Sequence, residues 1–166
     1  MKYAALILLM MSLSATATDV SLSIEGNIYG TACQLDGVSH NLVVDLGQAV
    51  ASDFKEVGDV GTWKNFDVTL SNCPPTLTLA TIEIDGNRDK IHPFKFANIG
   101  TATGVALELA DRPDMILLAP ESRFNTAIDA TTHTADFAMA ARYYTSKVPV
   151  TAGTFNSVVQ FTLTYQ

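Results

Sequence analysis

Side chains capable of chemistry are few and dispersed in this chain. Cys33 and Cys73 are its two cysteines, and they could form one disulfide or remain as two buried thiols. His40, His92 and His133 stand alone, without HxxxH or CxxC spacing, so no metal-ligand set can be assembled from sequence. Asp111, Asp114 and Glu121 could form a carboxylate pair, but acids beside Pro113 and Pro120 read as solvated loop residues. Gly100-Thr101-Ala102-Thr103-Gly104 looks like a glycine-rich loop, yet it lacks the lysine of a phosphate loop and leads into a strand, so it reads as a turn. GxSxG and GxGxxG motifs are missing too. No catalytic residue, cofactor or metal is expected. His92, before Pro93, and Trp63, after Gly58 and Gly61, read as packing or surface residues; Arg142 reads as a solvated or interface arginine.

The elements around these residues are strands. Apolar residues alternate in Leu42, Val44 and Leu46, then in Phe66, Val68 and Leu70 before Asn72-Cys73-Pro74-Pro75, where the prolines end the ladder. Leu77 and Leu79 begin another row, whose phase shifts to Ile82 and Ile84; a bulge near Ala80 or Thr81 accounts for the shift, and Asp85-Gly86 reads as the following turn. Phe94 and Phe96 alternate weakly, and Val105, Leu107 and Leu109 cleanly. Met115 to Leu118 suffices for a small strand, and Phe137, Met139, Ala141 and Tyr143 form a further row. After Pro149 and Gly153 comes the most regular row: Phe155, Ser157, Val159, Phe161, Leu163 and Tyr165. Helical periodicity is lacking, so helices should be few and short. The pattern predicts an all-β sandwich or barrel.

The 166 residues are 48% hydrophobic and 16% charged, which suits one domain with a substantial core. A net charge of -7, with 10 dispersed Lys and Arg, excludes a nucleic-acid surface. Met1 to Ala17 reads as a secretory signal, with Lys2, an apolar run from Ala4 to Leu13 and the small-x-small site Ala15-Thr16-Ala17. Cleavage there leaves 166 - 17 = 149 residues. The run is too short to span a bilayer and nothing later approaches a span, so no stable membrane insertion is expected. Export favours the disulfide over free thiols, and closing its loop stabilises by roughly 3 to 4 kcal/mol.

Thr18 to Tyr29 is an alternating segment at the expected mature N-terminus, with Val20, Leu22, Ile24, Gly26 and Ile28 on one face. It has no tight turn linking it to a partner strand. Together, the arm Asp19 to Ile24 with Gly26, Cys33, Asp45-Leu46-Gly47, Leu70 to Pro74, Gly104 to Leu109, Ala141-Arg142-Tyr143, Val148 to Gly153 and the ending Phe161 to Gln166 resemble a subunit of chaperone-usher fimbriae, a pilin, most closely a minor subunit of type 1 fimbriae. The family pattern places a glycine fourteenth from the C-terminus and a tyrosine next to last, and Gly153 and Tyr165 stand there.

The resemblance implies an incomplete immunoglobulin-like β-sandwich lacking its last strand, spanning residues 30–166, with residues 1–17 a signal peptide and residues 18–29 a donor-strand arm. It implies a structural, non-enzymatic subunit that is exported through the periplasm, assembles on the cell surface and supports adhesion in a minor or adapter position. The implied partners are a periplasmic fimbrial chaperone, an outer-membrane usher and other fimbrial subunits. A strand from the chaperone, then the arm of a neighbour, would complete the sandwich by strand addition. Gly153, Phe161, Leu163 and Tyr165 would form the accepting edge, Val20 to Ile28 the donated row, and Cys33 with Cys73 the staple. Gly26 would allow close approach in a narrow groove, or would simply weaken a strand before Asn27. The alternative reading is a self-contained secreted carbohydrate-binding sandwich, with the arm folded into its own sheet and Trp63 or Tyr143 and Tyr144 lining a pocket.

Overall fold

Short runs of β-branched and aromatic residues, separated by Gly, Pro, Asn and Asp, build nine strands in the computed structural model, which describes residues 32–35 and 42–166. The expected signal, the arm and His40 lie outside the described residues. In chain order the strands are β1 (Gln34–Leu35), β2 (Lys64–Ser71), β3 (Leu79–Gly86), β4 (Phe96–Ala97), β5 (Val105–Asp111), β6 (Leu117–Leu118), β7 (Arg123–Ala127), β8 (Ala135–Thr145) and β9 (Val159–Tyr165). Among the described residues the only helix is a 3-10 turn at Ala51–Asp53.

Two antiparallel sheets face each other. The larger runs β1-β2-β8-β5-β4, with β6 added to β5, and the smaller runs β7-β3-β9. Inward side chains of both sheets form one core: Val68 and Leu70 from β2, Ile82 and Ile84 from β3, Phe96 from β4, Leu107 and Leu109 from β5, and Phe137 and Met139 from β8. Phe124 of β7 meets Phe137 edge to face at 5.3 Å, which ties the two sheets together. This is the incomplete immunoglobulin-like sandwich expected from the resemblance, and β2, β5 and β6 end shortly before Pro74, Pro113 and Pro120.

Several local expectations are corrected. There is no bulge at Ala80 or Thr81, because β3 keeps continuous register from Ala80↔Tyr165 to Gly86↔Val159. Its inward row is Ala80, Ile82 and Ile84, all fully buried. Leu77 reaches the core from the turn after Pro74, where its N–H donates to Pro74 O at 3.0 Å, so it was never in phase with the strand. Asp85-Gly86 is not a tight turn; Gly86 closes β3, and a Cβ there would lie 2.9 Å from both the Phe96 ring and Val158 O. Leu42 to Leu46 forms no ladder strand, although Leu46 packs on the core. Its end is fixed by the Asp45 carboxylate, which accepts from Gly47 N at 2.8 Å, while Gly47 takes φ +75°. Phe94 is exposed, and only Phe96 of that pair enters the core.

Cys33 and Cys73 are disulfide-bonded across a sequence separation of 40. The bond holds two-residue β1 against the end of β2, where Gln34 faces Ser71 and Leu35 faces Leu70. At the other end of the core, Thr145 is fully buried and its Oγ1 has no hydrogen-bond partner among the described residues. Replacing that hydroxyl by a methyl removes an unmet desolvation cost. Thr145→Val is therefore expected to gain about 1 kcal/mol in urea unfolding, and a loss would show that Oγ1 is satisfied by a buried water.

Candidate strand-accepting groove

The site is built around β9. Its alternating sequence points Val159, Phe161, Leu163 and Tyr165 inward, and Phe155 and Ser157 continue the row upstream. Among the described residues β9 pairs with β3 alone, so its other side is a sheet edge. The consequence is visible in burial. Ile82 and Ile84 of β3, flanked by β7 and β9, are fully covered, whereas the inward residues of β9 touch the same core but stay half-buried. An apolar row on an edge strand, beside backbone groups that lack ladder partners, is a template for one more strand.

The upper end of this row is closed by aromatic contacts. Phe155 meets Tyr143 edge to face at 4.9 Å, Tyr143 meets Phe54 at 6.4 Å, and Tyr143 OH donates to Gly47 O at 2.8 Å. Burial holds the phenol pKa values of Tyr143 and Tyr165 above their ordinary range, with Asp45 adding to the effect at Tyr143. Phe161, Leu163 and Tyr165 thus come together on one face, as the sequence predicted. Gly153 lies upstream of the ladder, pressed against another loop: a Cβ there would fall 2.4 Å from Ala102 N and 2.7 Å from Thr101 C. It permits a close backbone approach that any other residue would block.

The other sequence candidates are placed apart from the groove or from each other. Asp111 Oδ1 accepts from Ile116 N at 2.6 Å and Glu121 pairs with Arg88 at 2.9 Å, so each has its own structural partner. The His92 ring packs on Tyr144 at 5.3 Å. His133, at φ 55°, belongs to the turn whose carbonyl accepts from Cys73 N. The loop at Gly100 to Gly104 is a turn that packs against residues 147–154.

Arg142 and Trp63 belong to a cluster the sequence did not reveal. Glu108, only 3% exposed, sits on the outer face of the larger sheet, directly opposite Arg142 in the β5–β8 register. Its carboxylate accepts from Arg142 Nε at 2.5 Å and from Lys95 Nζ. The Arg142 guanidinium lies 4.1 Å above the Trp63 ring centre and Lys95 lies over Tyr144. Acid and base alternate from Lys95, just before β4, through β5 to β8, a pairing hidden in sequence because register is not written there. Removing the shared carboxylate leaves two poorly solvated cations side by side. Glu108→Ala is expected to cost about 3 kcal/mol, at the low end for a broken buried pair because both cations retain some access to water, as read by chemical denaturation.

The geometry defines a class: an incomplete immunoglobulin-like sandwich in which, among the described residues, an apolar row lies along an edge strand. Comparison with known proteins gives that class its family. The Fimbrial protein family model matches residues 22–166, and the chain belongs to that family. It is 32% identical over 152 residues to the S-fimbrial adhesin protein SfaS of Escherichia coli O6:K15:H31, covering 92% of this chain and 88% of that one. It is 28% identical over 161 residues to protein FimG of Escherichia coli K12, covering 97% and 93%. Among solved structures, the P pilus rod subunit PapA matches with TM-score 0.66 and 23% identity over 82% of this chain and all of that one. A Burkholderia pseudomallei type I fimbria protein matches with TM-score 0.60 and 29% identity, over 81% and 90%. The chain is a structural fimbrial subunit of the surface pilus, and the comparisons lend no support to a carbohydrate-binding module.

Proposed function

We propose that this subunit both accepts and donates a strand, as a minor or adapter component of a type 1-like fimbria. The observation that carries the reading is the half-buried apolar row of β9 at a sheet edge. A periplasmic chaperone strand fills that edge during export and delivery to an outer-membrane usher, and the arm of the next subunit then replaces it. Phe161, Leu163 and Tyr165 receive the guest side chains. Residues 18–29 form the corresponding guest, with Val20, Leu22, Ile24 and Ile28 as its apolar contacts and Gly26 at the point of closest approach. The 1–17 signal is removed on export, and the Cys33–Cys73 bond fixes the base from which the arm leaves the body. Ladder hydrogen bonds supply affinity and the alternate side chains supply selectivity.

The test uses the refolded Thr18–Gln166 chain and a fluorescent peptide of residues 18–29. Saturable capture, abolished by Gly26→Leu in the peptide, is the expected result. No capture of the unmodified peptide would overturn the acceptor reading, and equal capture of the Gly26→Leu peptide would overturn the role given to Gly26.

A further inference from the structure

The ladder between β3 and β9 stops at Gly86↔Val159, so β3 provides no ladder partner for residues 154–158. The inward row nevertheless continues through Ser157 to Phe155. A second loop, Asn98 to Thr103, takes over there. Asn98 Oδ1 accepts from Asn156 N at 2.9 Å and from Gly100 N at 2.8 Å, and its Nδ2 donates to Ala102 O at 2.8 Å. Ile99 N donates to Asn156 O at 2.7 Å, so both backbone groups of Asn156 are turned towards this loop. Thr101 and Thr154 exchange reciprocal bonds, each backbone N–H donating to the other hydroxyl at 3.0 and 2.9 Å. Thr103 and Thr151 are joined at 2.7 Å through their hydroxyls, beside a backbone bridge. Gly100 and Gly153 let the two loops interlock: a Cβ on Gly100 would sit 2.2 Å from Thr154 O.

From this geometry we infer that the clasp acts as a surrogate for β3, extending the accepting edge from β9 back to Phe155, and that Asn98 is its positioning residue. The inference rests on the acceptor reading above. Length supports it. The guest row from Val20 to Ile28 spans nine residues, whereas β9 has 7. One end of such a guest must lie on residues 155–158. Every strand pair in both sheets is antiparallel. A guest that continues this pattern, with Val20 beside Leu163 or Tyr165, puts Ile28 on the clasped half and Leu22 on the β9 half. The edge carries guest side chains only where its backbone is held, and over the clasped half that hold is Asn98.

A double-mutant cycle on the full Thr18–Gln166 chain tests this, with peptide 18–29 and its Leu22→Ala and Ile28→Ala forms as probes. Asn98→Ala is expected to weaken capture of the unmodified and Leu22→Ala peptides by about 10-fold, and of the Ile28→Ala peptide by less than about 2-fold. Hydrogen exchange at the Asn156 amide should accelerate while β8 stays protected. If Asn98→Ala does not fold, Thr101→Val combined with Thr154→Val opens the same clasp and should give the same pattern. Equal losses for the Ile28→Ala and Leu22→Ala peptides, or no loss at all, would overturn the inference. Failure of the unmodified chain to capture any peptide would instead overturn the acceptor reading on which it rests.

Discussion

Leu163→Asp is expected to cut capture of the 18–29 peptide by at least about 100-fold while leaving a folded chain. Leu163 lies opposite Ile82 in the β3–β9 register, between Phe161 and Tyr165 of the inward row. Because that row is half-buried, an aspartate there still reaches water in the unfilled groove. A guest strand removes that water. Burying an unpaired carboxylate then costs several kcal/mol, and each 1.4 kcal/mol is about a factor of ten in affinity. The effect therefore falls on strand addition more heavily than on folding. Peptide titration, beside urea unfolding of the same variant, separates the two. A variant that is folded and captures the peptide as the parent does would show that the guest does not cover Leu163. The outward neighbour Thr164 provides the contrast, since Thr164→Asp should leave capture within about 3-fold, as expected of a surface substitution away from such features.

Much of this architecture could be read from the chain, because period-two alternation is a local signal. The rows in β2, β5, β8 and β9 sit where the residues predicted, and Pro74 and Gly104 mark real breaks. The misplaced bulge has one cause: a residue of neutral size hid the phase. Ala80 is the inward residue that begins the β3 row, and passing over it made Leu77 and Leu79 look like the start of the core-facing row and a bulge look necessary. In β5, alternation described only the core-facing side. Ala106, Glu108 and Ala110 are buried on the opposite face as well, and two of them, Ala106 and Glu108, stand opposite Tyr144 and Arg142 of β8. The groove was partly legible, since Phe161, Leu163 and Tyr165 form an evident row. What sequence could not show is that Asn98 and Asn156, 58 residues apart, hold its upper half. Threonines and asparagines in loops read as turn formers, and their pairing across chain distance depends on a register set by the rest of the fold.

The Cys33–Cys73 bond bears on both ends of the proposed assembly, and its removal should be the largest stability change from a side-chain deletion. In the chain-entropy model, a closed loop of this length raises the unfolded state by about 4 kcal/mol relative to the open chain. Domains are stable by about 5–15 kcal/mol, and a sandwich with a half-covered row gives up part of the burial a complete one enjoys. The Cys33→Ala/Cys73→Ala chain should accordingly unfold at much lower urea, with a loss of about 3–4 kcal/mol and a steeper dependence on denaturant, because the uncrosslinked chain exposes more surface when unfolded. A loss below about 1 kcal/mol would mean that the two-residue ladder of β1 suffices on its own. There is also a consequence for strand capture. A guest binds only the folded groove, so saturating 18–29 peptide should restore stability in proportion to RT ln(1 + [L]/Kd). The bond also pins β1 against β2, immediately after the segment expected to insert into a neighbour. Without it, tension along the arm would be borne by the pairings Gln34↔Ser71 and Leu35↔Leu70 alone, and pulling on the assembled fibre should strip β1 from the sheet before β2 yields.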